Sequence, residues 1–254
     1  MTQPSPVFRT RLAASAQDIA AAQRLRYSVF VRELGACGGL IDHAAQTEAD
    51  RFDPFADHLL LEDTAQPGAP VVGAYRLMSA AQAAAAGGFS GAPEFDLTPL
   101  LATGRPVLEL GRSCLLPAYR GGPAMMHLFA ALAQIAADRG DAIMFGVASF
   151  HGTDAGALSA PLAYLRQHHL APAHLRARAH GPGAAVMPAQ DPTDRKAALR
   201  DIPPLIKAYL RLGGVVGEGA CVDTAFNTVD VCMILDPALM TTAQRARAVP
   251  ERMR

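Results

Sequence analysis

The segment Val107-Leu108-Glu109-Leu110-Gly111-Arg112-Ser113-Cys114-Leu115 constrains this chain more than any other. It is apolar almost throughout, as a strand buried on both faces must be, yet it carries one carboxylate and one guanidinium. A Glu in such a run is costly to bury unless it is paired or has a chemical task. After Pro117 come Tyr119-Arg120-Gly121-Gly122 and then a strongly amphipathic helix. Strand, glycine turn and helix N-terminus in that order form a place to hold phosphate. A carboxylate beside a phosphate cradle points to transfer of a group carried on a phosphorylated cofactor.

The remaining elements follow from periodicity. Phe8 to Ala13 alternates as a strand, and Ser15 with Asp18 three residues on has a capping-box pattern. Ile19, Ala22, Leu25 and Val29 give the helix one apolar stripe, ending near Gly35. A loop opening at Gly38-Gly39 then holds Glu48, Asp50 and Asp53. His58 to Glu62 and Val71 to Met78 predict two antiparallel strands joined through Gln66-Pro67-Gly68. Ser79 to Ala86 predicts a short helix. Met125, Leu128, Phe129, Leu132, Ile135 and Ala136 mark a helix over about 122–139, stopped by Gly140.

Ala142 to Phe150 predicts a buried strand, followed by a helix from about 154 to His168. His174 to Met187 is expected to form a hairpin turning at Gly181-Pro182-Gly183. A helix over 205–212, a strand over 215–223 and a last strand over 229–235 complete the core. Strands and helices alternate while several strand pairs are antiparallel, which predicts a mixed α/β sheet. One domain is expected, residues 1–254, with its core at about 8–236 and a frayed tail over 241–254.

Composition narrows the function classes. Lys plus Arg and Asp plus Glu balance at 23 each, so no basic excess calls for nucleic acid. Cys37, Cys114, Cys221 and Cys232 include no C-x-x-C pair, so no metal site is expected. Met1 to Pro6 lacks the layout of a signal peptide, and Ala124 to Ala137 is too short to span a bilayer. A soluble cytoplasmic protein with free thiols is expected.

Several segments together resemble a known family. They are Leu25-Arg26-Tyr27-Ser28-Val29-Phe30-Val31-Arg32-Glu33, Asp50-x-x-Asp53, Gly73-x-x-Arg76 and Glu109-x-x-Arg112, in that order. The series resembles the acyl-homoserine-lactone autoinducer synthases and their relatives in the GNAT acyltransferase superfamily. Ser149-Phe150-His151-Gly152-Thr153-Asp154, Pro203 to Gly213 and Phe226 to Val231 are more similar to the bacterial L-ornithine Nα-acyltransferases. The resemblance spans about Leu12 to Leu235.

The resemblance implies a GNAT-like α/β (α+β) fold, a mixed and mostly antiparallel central sheet flanked by helices. It implies transfer of a (3-hydroxy)acyl group from acyl carrier protein to the α-amine of L-ornithine, the first step of ornithine lipid synthesis. The donor would be the carrier's phosphopantetheine thioester, with no bound cofactor. The Arg120-Gly121-Gly122-Pro123-Ala124 loop fits the usual GNAT phosphate loop loosely, which favours the simpler pantetheine arm over coenzyme A. The amphiphilic product makes a transient contact with the inner membrane an expectation. An autoinducer synthase and a non-catalytic carrier-protein- or lipid-binding GNAT fold are the alternatives. Autoinducer synthases usually carry tryptophans near the N-terminal helix, and this chain has none.

Within that frame Glu109 is expected to take the proton from the attacking amine, its plainer role being a partner for an arginine. Arg112 lies on the opposite face by strict alternation unless Gly111 marks a bulge. Backbone N–H groups of Cys114, Leu115 and Leu116 are the expected donors to the thioester arm, and Arg120, Gly121 and Gly122 the phosphate site, or else a plain turn. Asp50 and Asp53 are expected to meet the ornithine side-chain ammonium, or else to be solvated loop acids. Arg26 and Arg76 are expected either to pair with these acids or to hold the substrate carboxylate, with the scaffolding pair favoured for Arg26, and Ser149 is expected to line the acceptor cleft. Cys114 in an apolar strand is a poor nucleophile. His174, Arg176 and Arg178, or Lys196, Arg200 and Lys207, are candidate docking residues for an acidic carrier protein.

Overall fold

The computed structural model describes residues 5–248. In chain order the first half contains β1 (Phe8–Leu12), α1 (Ala16–Arg26), β2 (Leu40–Asp42), β3 (Thr47–Ala49), β4 (Asp57–Asp63), β5 (Val71–Ser79), α2 (Ala80–Ala85), β6 (Phe95–Asp96), α3 (Thr98–Leu101) and β7 (Val107–Leu115). The second half contains α4 (Ala124–Asp138), β8 (Ile143–His151), α5 (Ser159–His169), β9 (Arg178–Ala179), β10 (Ala184–Ala185), α6 (Arg195–Asp201), α7 (Pro204–Arg211), β11 (Val215–Val216), β12 (Ala220–Asp223), β13 (Thr228–Leu235) and α8 (Thr242–Ala248).

One nine-stranded sheet runs β1-β4-β5-β7-β8-β13-β12-β10, with β11 also on β13. Its strand pairs are antiparallel except β7 with β8. The mixed, mostly antiparallel sheet expected from the sequence is therefore the fold. Local chemistry sets the element ends. Ser15 accepts the Asp18 N–H at the start of α1, and Ser79 with Gln82 forms a reciprocal capping box on α2. After α1 the chain continues as a π-helical stretch, Tyr27–Glu33, closed where the Leu34 N–H donates to the Val29 carbonyl.

The two sheet faces bury different things. On one, α4 and α7 pack Leu128, Phe129, Leu132, Ile206 and Tyr209 against Leu108, Leu110 and Met144. On the other, Leu25 and Val29 cover Leu60, Ala74 and Cys114, while Phe89, Phe95 and Leu100 cover Phe145, Cys232 and Ile234.

Several sequence expectations need correction. The loop before Asp50 contains a hairpin, β2–β3, that no alternation announced. The expected 174–187 hairpin does not form: β9 pairs with β6, and β10 pairs with β12. Strand 215–223 is broken at Gly217 to Gly219, where added Cβ atoms would meet backbone or side-chain atoms at 2.7 and 2.8 Å. The helix before His168 begins only at Ser159. Part of the tail expected to fray is helix α8, and residues 249–254 lie outside the described residues.

The feature that shapes the sheet is the short pairing of β7 with β8. It has three rungs, Val107↔Ile143, Leu108↔Met144 and Glu109↔Phe145, and then the strands part. At the fork the Leu110 carbonyl presses on Gly146, where a Cβ would lie 2.0 Å from its oxygen. Glycine is required there by space. Gly146→Ala is expected to destabilise the protein by about 1–3 kcal/mol through overpacking, read by urea unfolding; an unchanged midpoint would contradict this tight approach.

Candidate active site

Glu109 occupies the last rung before the fork and is 3% exposed. Its carboxylate accepts the Ser90 N–H at 2.9 Å and the Gly91 N–H at 2.7 Å. The turn at Ser90-Gly91 approaches closely, since a Cβ on Gly91 would sit 3.3 Å from Glu109 Oε1. Glu109 is therefore not an arginine's partner. It anchors a turn over the fork, and a carboxylate with two N–H donors retains lone pairs for a further proton.

Beyond Glu109 the strand bulges. Arg112 and Ser113 together face Tyr75, between the pairs Arg76↔Gly111 and Ala74↔Cys114. Arg112 takes φ +51°, a left-handed conformation costing on the order of 1–3 kcal/mol for a non-glycine residue. The bulge turns Arg112 toward the α1 side, where its Nη2 lies 2.8 Å from Asp50 and its guanidinium stacks 4.6 Å from the Phe226 ring centroid.

Arg112 joins a buried network. Arg26 bonds Glu48 at 2.5 Å and Asp53 at 2.7 Å, and Arg76 bonds Asp50 and lies 3.5 Å from Asp53. Gln23 adds a bond to Asp53 at 3.0 Å. Three guanidiniums face three carboxylates, so the network is formally neutral. Burial alone would raise the pKa of Asp50, but Arg76 and Arg112 outweigh it and hold it at about 2. Asp50, Asp53 and Arg76 thus tie the 47–53 segment and α1 to the sheet. Their side chains are engaged with one another, which leaves the expected ammonium-binding role of the two acids without a free carboxylate.

The other expected residues fall as follows. Cys114 is buried facing α1, and burial pushes its thiol up to about 12. The Leu116 N–H donates to the Val72 carbonyl, so it is not free for a substrate. By strand alternation the Leu115 N–H points instead toward the gap beside β8. Arg120 bonds Glu33 at 2.5 and 2.8 Å and the Leu115 carbonyl at 2.9 Å. Gly121 turns at φ +74° in open space, and no side chain caps α4. An anion at this helix end would meet backbone N–H groups, with Arg120 available on release from Glu33. Of the expected docking cations, Arg178 pairs with Glu218 and the Lys207 ammonium donates to the Arg200 carbonyl.

Ser149 lies four residues past Phe145 on the Glu109 face of the sheet, directly opposite Asp230. Asp230, Glu94 and Asp223 form a second charged group that sequence reasoning missed, with ligand oxygens all within 4.8 Å of one another. Burial, then the charges of Asp230 and Asp223, push Glu94 up to about 8. Burial is also the main cause that pushes Asp230 up to about 6. The spacing would suit a cation. The signal for Asp230 was present, since Thr228-Val229-Asp230-Val231 is an apolar strand holding one acid, as around Glu109. Glu94, in a Gly-Ala-Pro-Glu turn, has no such signal.

On the α4 face of the fork an apolar cavity of about 160 Å³ opens, lined by Leu110, Phe129, Leu132, Ala136, Met144 and Tyr209 among others. Tyr75 and Tyr209 close its neighbourhood with hydroxyls 3.0 Å apart.

A fork between a parallel strand pair, a bulged central strand and an open glycine turn before α4 define a GNAT-type acyltransferase. Residues 25–130 match the family described as Acetyltransferase (GNAT) domain. The chain is 54% identical over 241 residues to the L-ornithine N(alpha)-acyltransferase of Rhodobacter capsulatus, covering 94% of this chain and 93% of the relative. It is 42% identical over 238 residues to the protein of that name from Brucella abortus, covering 90% of this chain and 84% of the relative. The chain belongs to the L-ornithine Nα-acyltransferase family. Among solved structures the AHL synthase LasI superposes with a TM-score of 0.52 at 13% identity, covering 97% of this chain and 96% of that one, a likeness of fold.

The neutral network gives a pH prediction. Asp50 has a folded pKa below its ordinary value, so its contribution is complete above about pH 4 and is lost as pH falls through about 2. Asp50→Asn is expected to lower stability at pH 7 by about 3–5 kcal/mol, because it leaves two buried guanidiniums short of a partner. The gap to the parent protein should close between pH 4 and 2, measured by urea unfolding across that range; a gap independent of pH would contradict the pairing.

Proposed function

We propose that this protein transfers a 3-hydroxyacyl group from acyl carrier protein to the α-amine of L-ornithine, forming lyso-ornithine lipid. The observation that carries this reading is the identity to relatives named L-ornithine N(alpha)-acyltransferase over nearly the whole chain. The site supports direct transfer. The thioester arm lies along the fork, where β7 and β8 offer unpaired backbone groups beyond Glu109. One such N–H, at Leu115, lies six residues from Glu109, roughly 20 Å at about 3.3 Å per residue, and is available to an amide of the pantetheine arm on its way to the phosphate site. The pantetheine phosphate sits at Gly121-Gly122 before α4, and the acyl chain enters the apolar cavity beside Leu110 and Met144.

The acceptor arrives on the opposite face, beside Glu109 and Ser149. Glu109 takes a proton from the α-ammonium, directly or through water, so that the amine lone pair can attack the thioester carbon. The amide forms as the carrier thiol leaves, with no acyl-enzyme; the buried, high-pKa Cys114 suits this route. Among the described residues no helix is long and apolar enough to cross a membrane. The product is an amphiphile, and its delivery calls for a transient contact with the inner membrane.

The direct test supplies acyl carrier protein thioester with ornithine or with S-adenosylmethionine and reads products by mass spectrometry. N-acyl-ornithine is expected; acyl-homoserine lactone, or no product, would refute the reading. A second test addresses the base. Glu109→Gln should lower kcat by on the order of 10²- to 10⁴-fold, with partial recovery at high pH where more ornithine is already deprotonated. Activity within a few-fold of the parent at unchanged thermal stability would leave Glu109 only as the anchor of the Ser90-Gly91 turn.

A further inference from the structure

Glu94, Asp223 and Asp230 contrast with the charged network beside them. Their oxygens lie within 4.8 Å of one another, yet Arg112 directs its guanidinium to Asp50 and Glu48 instead. Asp230 Oδ1 and Glu94 Oε2 are buried without a hydrogen-bond partner. Asp230 itself is 3% exposed. Thr228 supplies a separate observation. It pairs with Asp223 in register and precedes Asp230 by two residues, which puts its side chain on the same sheet face as both acids. Thr228 is 7% exposed, and its hydroxyl, which with that of Ser149 lies close enough to Asp230 to offset part of the effect of burial, has no partner outside the group.

Buried acceptors left unpaired are costly, and adjacent carboxylates repel. A primary ammonium answers both conditions, because it brings one positive charge and three donors to converging oxygens. The position fits as well. Val147 and the Glu109 carboxylate flank the same turn, 3.4 and 3.3 Å from a Cβ placed on Gly91, and Ser149, opposite Asp230, is two residues past Val147, roughly 7 Å at about 3.3 Å per strand residue. That distance is comparable with the four-carbon span between the two nitrogens of ornithine.

We infer that Glu94, Asp223 and Asp230, with Thr228, bind the side-chain ammonium of the acceptor, so that a diamino acid is selected here and not at Asp50 and Asp53. The inference rests on the acyl-transfer reading above. With the α-amine at the fork and the distal ammonium in this pocket, the acceptor is fixed at both ends. A side chain without a distal ammonium would leave the pocket's acceptor oxygens without donors and would bind less well.

The test compares ornithine with norvaline, which has the same carbon chain without the distal amine. The parent protein should prefer ornithine by about 100-fold or more in kcat/KM, within the range for loss of one buried charge pair. Glu94→Gln and Asp230→Asn should each reduce that preference at least about tenfold by raising the ornithine KM, with the donor KM unchanged. Both variants remove a repelling carboxylate and should keep or raise the thermal midpoint; Asp223→Asn replaces either one that fails to fold. Equal use of norvaline by the parent, or undiminished preference in the variants, overturns the inference while leaving acyl transfer intact. Should no amino acid be acylated, the transfer reading fails, and calorimetric titration without donor still decides the pocket. Ornithine binding weakened at least about tenfold in the variants, with norvaline binding unaltered, supports it. Equal ornithine affinity throughout, or displacement of ornithine by Mg²⁺ or Ca²⁺, overturns it.

Discussion

The parting of β7 from β8 after three rungs is the constraint on which the rest of the site depends. A longer ladder would consume the backbone groups along both facing edges and close the space between them. The separation begins where the Leu110 carbonyl meets Gly146, a position without room for a side chain. From there the two sheet faces differ. The α4 side is apolar, with the cavity at Leu110 and Met144, while the α1 side carries Glu109, Ser149 and Asp230 in line along the strands. An apolar group and a polar one can therefore reach the same gap from opposite faces of the sheet.

Charge is arranged in two groups of different character. The network of Arg26, Arg76 and Arg112 with Glu48, Asp50 and Asp53 is balanced in charge, although Arg26 Nη2, Arg112 Nε and Glu48 Oε1 keep no hydrogen-bond partner, and it orders a loop that has little apolar content of its own. The strained backbone at Arg112 is held by this pairing and by stacking on Phe226. The group of Glu94, Asp223 and Asp230 has no direct ion-pair partner among the described residues, Arg112 acting on it only from a distance, and burial keeps raised pKa values at Glu94 and Asp230. Structural ion pairs and a substrate pocket can look alike in sequence, since both are acids in or near buried strands. What separates them is whether the counter-charge comes from the chain.

The sequence made much of this legible because the dominant signals are local. The periodicity of Met125 to Ala136 and the caps at Ser15 and Ser79 required no knowledge of partners. The apolar run around Glu109 located the central strand, and the acid within it marked the fork. Pairings that depend on tertiary contact were hidden. The two-residue strands β9 and β10 leave no alternation to read, so a hairpin was expected where each joins a distant strand. Asp50 and Asp53 stand out in the sequence as acids before a proline, but their arginine partners come from α1, β5 and β7, and no local pattern announces those pairings. Asp230 satisfied the criterion applied to Glu109, whereas Glu94 reaches the site only through the path of its loop.

With the distal ammonium of ornithine held by Glu94, Asp223 and Asp230, only the α-amine meets the thioester. The regiochemistry of the product reports on this arrangement. Tandem mass spectrometry of the product formed from acyl carrier protein thioester and ornithine should show the amide on the α-nitrogen alone. Acylation at the δ-nitrogen, alone or in comparable amount, would contradict it.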